Sequence, residues 1–132
     1  YLGAFTADDA NPDIGDSAIT ETVGLGGFAM AASPAIVGFV GGTAAGAVQR
    51  TLAMYEITLT EHPDYTIPIL ESRGTPTGID AARVARTGVL PVINTGIAGK
   101  EPGVGMVGAG IVDAPVACFT SALQALAGEC EK

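Results

Sequence analysis

Tryptophan is absent from this sequence, and basic residues, histidine and cysteine are scarce. Six Lys and Arg residues stand against 14 Asp and Glu residues, which gives a formal net charge of −8. Nucleic-acid binding requires clustered cations that neutralise phosphates, so the composition excludes that class of partner. His62 is the only histidine, and neither a second histidine nor a close pair of cysteines is present to complete a zinc site. We therefore predict no nucleic-acid partner and no bound metal.

The two cysteines, Cys118 and Cys130, both fall in or just after a predicted terminal helix. On one continuous helix they would lie about 18 Å apart, which is beyond the reach of a disulfide. Free thiols are typical of a reducing compartment, so we predict a cytoplasmic location. The sequence has no initiator Met and no signal-peptide pattern, which leads us to expect a domain cut from a longer protein. A length of 132 residues predicts a single domain over residues 1–132.

A long stretch without charge, residues 22–49, requires a membrane test because its length would allow a span. It contains seven glycines and Pro34, however, and few Leu or Ile residues that favour insertion. We therefore predict that the stretch is buried in the protein core or in a subunit contact, with no membrane partner. Phe28 and Ile36 are its predicted core side chains.

Hydrophobic periodicity predicts more helix than strand. The predicted helices cover residues 28–40, 43–58 and 81–86, with a last helix opened by Asp113 and Pro115. The predicted strands cover residues 65–70, 89–93 and 111–112, and a glycine-rich loop covers 94–110. Thr43 is the predicted N-cap of the second helix, a capping box over residues 77–80 precedes the third, and Gly88 ends that helix. This order predicts an α+β fold in which helices cover a small mixed β-sheet.

The first polar cluster is acidic and covers residues 11–22. Asp16 and Glu21 are its candidates for acid–base chemistry, because carboxylates can transfer protons from a fixed position. A calcium loop is the alternative for the density of carboxylates, but Ile14 stands where such a loop requires glycine. Asx turns and helix capping by Asp16 form the structural alternative.

The second cluster, residues 71–78, lies between a predicted strand and a predicted helix. Backbone amides at such a junction favour anions, and a guanidinium adds paired donors. Arg73, Gly74 and Thr75 are therefore candidate anion-binding residues. The alternative is that Arg73 forms a structural ion pair with Glu71 or another acidic neighbour.

The third cluster, residues 94–103, follows a predicted strand, where α/β proteins usually bind ligands. Its candidate residues are Asn94, Thr95, Gly96 and Lys100. The frame around Lys100 does not match a P-loop, and no convincing helix follows the glycines at 103–108. We therefore predict no nucleotide or other cofactor.

Four blocks of sequence are distinctive when taken together and in order: residues 11–22, 24–32, 73–80 and 91–98. They resemble the C-terminal part of the family catalogued as domain of unknown function 1116, and the likeness covers about residues 5–126. Members of that family are much longer, so the resemblance implies that this chain is a C-terminal domain. The motif positions that it carries over are Asp13, Asp16, Glu21, Arg73, Thr75, Asp80, Asn94, Thr95 and Lys100.

The resemblance also implies a function, because the family includes a subunit linked to oxamate carbamoyltransferase in purine or allantoin breakdown. Such a subunit would help to exchange a carbamoyl group between phosphate and an oxamate-like acceptor. Under this hypothesis Arg73 and loop amides hold an anion, Asn94 and Thr95 orient the acceptor, and Glu21 or Asp16 manages an amide proton. The expected partners are a small carboxylate or carbamoyl-type ligand and either identical or different subunits. A non-catalytic assembly domain and a small-anion-binding module without turnover are the two rival hypotheses.

Overall fold

The structure is a computed structural model that describes residues 1–12, 18–39 and 42–130. The α-helices of the described residues are α1 (Ala18–Thr22), α2 (Pro34–Phe39), α3 (Ala44–Glu56), α4 (Ala81–Thr87) and α5 (Val116–Cys130). Their strands are β1 (Thr58–Ile67), β2 (Arg73–Ile79), β3 (Val92–Ala98) and β4 (Met106–Asp113). Short 3₁₀ helices occupy Ala7–Asp9, Gly26–Ala32 and Pro68–Leu70. The predicted α+β class is confirmed.

The strands form two antiparallel hairpins, whereas the sequence led us to expect one small mixed sheet. In the first hairpin β1 pairs with β2, and Ile67 lies opposite Arg73. The chain turns between these strands at Glu71 and Ser72, both of which have a positive φ. An isolated two-stranded hairpin is marginal in water, so each hairpin depends on the helices that pack against it.

The second hairpin occupies most of the segment that we predicted to be a glycine-rich loop over residues 94–110. That prediction is wrong, because β3 and β4 pair from Val92 opposite Asp113 to Ala98 opposite Met106. Only residues 99–105 form the connecting turn. The glycines mislead because some of them permit close packing within a strand. A Cβ atom on Gly108 would lie 3.3 Å from the Cα atom of Tyr1.

Helices α3 and α4 begin and end close to the predicted positions. The Thr43 hydroxyl accepts a hydrogen bond from the Gly46 amide at 3.1 Å, which confirms Thr43 as the N-cap of α3. The N-cap of α4 is Asp80, not Thr77, because residues 77–79 belong to β2. Gly88 ends α4 with a φ of 72°, as expected for a left-handed C-cap.

The core lies between the helices and the two hairpins, and the uncharged stretch 22–49 contributes much of it. Phe28 is fully buried, and it forms a cluster with Met54, Ile57 and Val84 among others. This confirms Phe28 as a core residue, whereas the side chain of Ile36 lies outside the described set. Pro34 begins α2, as predicted for a proline at the first turn of a helix. Within the described residues we find no helix of the length and apolarity needed to cross a membrane.

Helix α5 packs against α4 and brings Phe119 to the core cluster. None of its 15 residues, all of which are described, is buried. Val116 is 46% exposed and Leu126 is 58% exposed, although no charged residue occurs between residues 116 and 128. Cys118 and Cys130 on this helix are free and exposed. A helix of this composition normally has apolar neighbours on more than one side.

Candidate functional site

A buried carboxylate connects three elements of the fold. Glu21, near the end of α1, is only 1% exposed. Its Oε1 atom accepts a hydrogen bond from the Gly27 amide at 2.8 Å and another from the Asn94 amide at 3.1 Å. Glu21 therefore fixes the 3₁₀ helix Gly26–Ala32 and the start of β3 relative to α1. Both donors are main-chain groups, so the buried carboxyl group has the hydrogen-bond partners that burial of a polar group requires.

Glycines make this contact possible. A Cβ atom on Gly26 would lie 2.1 Å from Oε1 of Glu21, and one on Gly27 would lie 2.1 Å from the carbonyl oxygen of Val92. Both distances are far below any real contact, so a larger residue would displace the Glu21 carboxyl group at Gly26 and the backbone of β3 at Gly27. Gly26 therefore permits the close approach of Glu21, and Gly27 permits the close approach of the 3₁₀ helix to β3.

Thr75 on β2 contacts the same segment at Gly24. A Cβ atom on Gly24 would lie 2.3 Å from the Thr75 hydroxyl oxygen, so the two residues are in close contact. Thr75 is 2% exposed, and among the described residues its Oγ1 atom has no hydrogen-bond partner. Buried hydroxyls are rarely left unpaired. We call Glu21, Gly24, Gly27, Thr75 and Asn94 the junction, where all three predicted polar clusters meet.

The environment of Arg73 differs from the prediction. The residue lies on β2, so the proposed position between a strand and a helix N-terminus is wrong. Its Nε and Nη2 atoms lie 2.8 Å and 2.7 Å from Oε1 of Glu61 on the neighbouring strand. The guanidinium group also lies over the ring of Tyr55, 3.6 Å from the ring centre. Arg73 thus has the structural ion pair that we gave as the alternative, with Glu61 as the partner.

This arrangement is fixed by further contacts. The Tyr55 hydroxyl donates a hydrogen bond of 2.6 Å to the carbonyl oxygen of Gly74, which holds the ring beneath the guanidinium. The hydrogen bond to Glu61 is the main cause that raises the pKa of Arg73 above its ordinary value. Burial raises the pKa of Tyr55, and the nearby Arg73 charge opposes this effect. Arg73 nevertheless keeps 44% of its side chain exposed, so a dissolved anion can reach it.

The remaining candidates lie on the second hairpin. Thr95 and Gly96 follow Asn94 on β3, where Thr95 is buried and Gly96 is exposed. Lys100 lies in the connecting turn, where its amide donates to the carbonyl oxygen of Asp9 at 2.9 Å and its ammonium donates to that of Asp8. Gly96 and Lys100 both line a cavity of about 460 Å³ at the tip of this hairpin.

The predicted site residues therefore do not form one site. Glu21, Asn94 and Thr75 meet at the junction, Gly96 and Lys100 share the cavity at the hairpin tip, and Arg73 with Gly74 belongs to a third place. Asp16 lies outside the described residues, as do the other residues of the range 13–17 in the acidic cluster that raised the calcium alternative. In the ranges that the structure describes, no three His, Cys, Asp or Glu side chains are grouped as metal ligands.

Sequence reasoning missed three residues around Arg73. Tyr55, Glu61 and Arg83 line one cavity with it, of about 190 Å³. Glu61 could have been found from its position on a strand that pairs with the second cluster. Finding it required the correct start of β1, which we predicted seven residues too late. Arg83 was placed correctly on a helix, and nothing in the sequence indicated the direction of its side chain.

Comparisons with known proteins support the fold and give a first indication of function. No protein-family model matches the chain, so the predicted membership of domain of unknown function 1116 has no support from that comparison. The chain is 56% identical over 131 residues to the uncharacterized protein YahG of Escherichia coli (strain K12), which covers 99% of the chain. It is 50% identical over 130 residues to the oxamate carbamoyltransferase subunit AllG of the same organism, which covers 96% of the chain. The chain is homologous to both proteins.

These relatives are much longer than the chain, which spans 27% of YahG and 30% of AllG. The same holds for a crystal structure of a conserved protein of unknown function from Enterococcus faecalis V583. The chain is 57% identical to that protein and superposes with a TM-score of 0.89, covering 96% of the chain and 30% of the other protein. The fold described above therefore occurs in a solved structure, as part of a larger polypeptide.

Proposed function

We propose that this chain is a domain of a longer protein and serves in a carbamoyl-transferring complex, where it binds a small anionic substrate of the oxamate type. The observation that carries the proposal is its 50% identity to AllG over nearly the whole chain. AllG is named as a subunit, which supports a role in a complex with partner subunits. YahG, the other relative, is uncharacterized and adds support for the domain but not for the substrate.

The geometry favours particular roles for the candidate residues. Arg73 is a cation that solvent can reach, so we assign the contact with the anion to it. Glu21 is buried and already accepts two main-chain hydrogen bonds, so we assign it the positioning of Asn94 and Thr95, not proton transfer. Asn94 then remains the candidate that orients the acceptor, because it is only half-buried on β3.

A ligand screen by thermal unfolding tests the proposal. The chain is mixed separately with oxamate, oxalurate, carbamoyl phosphate and inorganic phosphate. A ligand at ten times its Kd contributes about 1.4 kcal/mol of stability, which raises the melting temperature by several degrees. We expect carbamoyl phosphate or oxamate to stabilise the chain more than phosphate does. An equal response to all anions would instead support a binding module without turnover, and no response would leave the carbamoyl proposal without a ligand.

Substitutions of Arg73 test whether this residue binds the anion. Losing a charge-assisted, paired contact weakens binding roughly ten- to a hundredfold. We therefore expect Arg73→Ala to reduce the calorimetric affinity for carbamoyl phosphate by that factor, and Arg73→Lys to restore it only in part. Melting temperatures of the free variants separate binding from folding. Wild-type affinity in both variants would show that Arg73 serves only as the structural partner of Glu61.

The exposed apolar helix α5 favours assembly as a second candidate function. Its exposed Leu126 and Val116 lie on a helix without charge until Glu129. Such a surface is unusual on an isolated soluble domain and is typical of subunit contacts. A non-catalytic domain that docks on partner subunits through α5 accounts for this surface without any ligand.

We expect the isolated chain to self-associate through α5, and Leu126→Lys to shift it toward the monomer. A lysine at a contact surface introduces a charge that association would desolvate. Light scattering over a range of concentrations measures the mass. Gln124→Lys is the matched control, since Gln124 is also exposed on α5 but is polar. The assembly role loses its support if the wild-type chain is a monomer at high concentration and binds no hydrophobic dye.

A further inference from the structure

A small polar cleft lies where the β1–β2 hairpin meets α3 and α4. Its volume is about 190 Å³, below the roughly 300–1,000 Å³ that is usual for drug-sized ligands. Two arginines, Arg73 and Arg83, and one carboxylate, Glu61, line it together with Tyr55 and Thr58.

The Arg83 side chain is held in the cleft by two groups. Its Nη1 atom donates a hydrogen bond to the carbonyl oxygen of Thr58, and its Nε atom lies 3.3 Å from Oδ2 of Asp80. Asp80 is itself fixed, because its Oδ1 atom caps α4 by accepting from the Ala82 amide at 2.9 Å. The guanidinium of Arg83 is therefore ordered before any ligand arrives, although 36% of the side chain remains exposed.

Arg73 is ordered in the same way by Tyr55 and Glu61. Glu61 occupies the Nε and Nη2 edge of this guanidinium, and Asp80 and the Thr58 carbonyl occupy Nε and Nη1 of Arg83. Among the described residues, Nη1 of Arg73 and Nη2 of Arg83 have no hydrogen-bond partner. The cleft thus combines two fixed guanidinium groups with one lining carboxylate, Glu61, while Asp80, which pairs with Arg83, does not line it.

We propose that this cleft is the anion-binding subsite, in which one small carboxylate or phosphate group is bound by Arg73 and Arg83 together. Two guanidinium groups that are already ordered lose little conformational entropy on binding, so even a small anion gains affinity. Glu61 limits that affinity, because its carboxylate repels the ligand and holds one edge of Arg73. The inference rests on the proposed function and adds to it Arg83 as a binding residue and Glu61 as the residue that sets affinity.

Calorimetric titration with oxamate and with inorganic phosphate tests the subsite. We expect Arg83→Gln to weaken binding of both probes about tenfold or more, as loss of a charge-assisted contact does. Glu61→Gln should strengthen binding roughly two- to fivefold, the range expected when an exposed competing ion pair is removed. Partial unfolding cannot increase affinity. The Glu61→Gln variant therefore still tests the subsite if Arg83→Gln folds poorly.

Arg86→Gln is the charge-matched control, because Arg86 is exposed in the last turn of α4 and does not line the cleft. If Arg86→Gln weakens binding as much as Arg83→Gln does, the effect is one of net charge and the subsite is refuted. Unchanged affinity in both Arg83→Gln and Glu61→Gln also refutes the subsite. If oxamate still binds to these variants, it binds at another place on the chain, and the proposed function is unaffected. Phosphate binding that needs Arg83, without any preference for oxamate, supports the subsite and contradicts the carbamoyl proposal. If neither oxamate nor phosphate binds, the subsite is refuted.

Discussion

Gly27→Ala is expected to lower the free energy of unfolding by about 3 kcal/mol or more, which is a large part of the total for a domain of this size. The added Cβ atom would lie 2.1 Å from the carbonyl oxygen of Val92 and 2.7 Å from its carbonyl carbon. These are backbone atoms of β3, so no side chain can rotate to make room. The 3₁₀ helix must move away from β3, and this movement would also break the hydrogen bond from the Gly27 amide to Glu21.

Thermal unfolding followed by circular dichroism measures the effect, and a loss of this size lowers the melting temperature by roughly 10 °C. Gly128→Ala is the matched control. Gly128 lies on α5 with no atom within 4 Å of the added Cβ, so alanine there should leave stability unchanged or raise it by up to about 1 kcal/mol. If Gly27→Ala melts at the wild-type temperature, the close approach of the 3₁₀ helix to β3 is wrong.

The parts of the fold that sequence reasoning predicted well are those with local signals. Helix α3 has an apolar face and a threonine N-cap, and both features lie within the helix or directly before it. Gly88 marks the end of α4 through its own left-handed conformation. Phe28 could be assigned to the core because its neighbours carry no charge. Signals of this kind depend on a few consecutive residues and do not require the tertiary structure.

Strand β2 could not be predicted, because its sequence contains residues that are typical of turns. Gly74, Pro76 and Gly78 all lie in it. Gly74 is required by close packing, since a Cβ atom there would lie 2.3 Å from the carbonyl oxygen of His62 on the paired strand. Strand preference depends strongly on such neighbours across the sheet, and the sequence does not reveal them. For this reason the prediction that Arg73 lies between a strand and a helix N-terminus was wrong.

The candidate site shows the same limit. The three polar clusters could be recognised as segments, but their contact at the junction depends on a segment that we had assigned only to the core. Glu21 meets the Asn94 amide across 73 residues of sequence, and Arg73 meets Glu61 across 12. Charge and spacing along the chain predict which residues are able to pair. The paths of the two hairpins decide which of them do.

Glu21→Ala is expected to lower the free energy of unfolding by about 3 kcal/mol, because two main-chain amides lose their shared side-chain acceptor at once. Those amides belong to Gly27 and Asn94, and alanine provides no replacement oxygen. Glu21→Gln keeps one carbonyl oxygen at the same place, so we expect a loss of only about 1 kcal/mol. Urea unfolding measures both values. Glu56→Ala is the control, since Glu56 is exposed at the end of α3.

The glutamine variant also separates the two roles considered for Glu21. A positioning role requires only an acceptor oxygen, so Glu21→Gln should retain ligand affinity and slow amide exchange at Gly27 and Asn94, whereas Glu21→Ala should lose both. A proton-transfer role requires an ionisable group, so Glu21→Gln would fold normally and yet reduce the rate of carbamoyl transfer in the assembled complex by a factor on the order of 10²–10⁴. Because Oε1 of Glu21 already accepts two main-chain hydrogen bonds in a site closed to solvent, we expect the first pattern. A normal fold combined with a rate loss of that size would assign Glu21 to the chemistry and require the junction to open during the reaction.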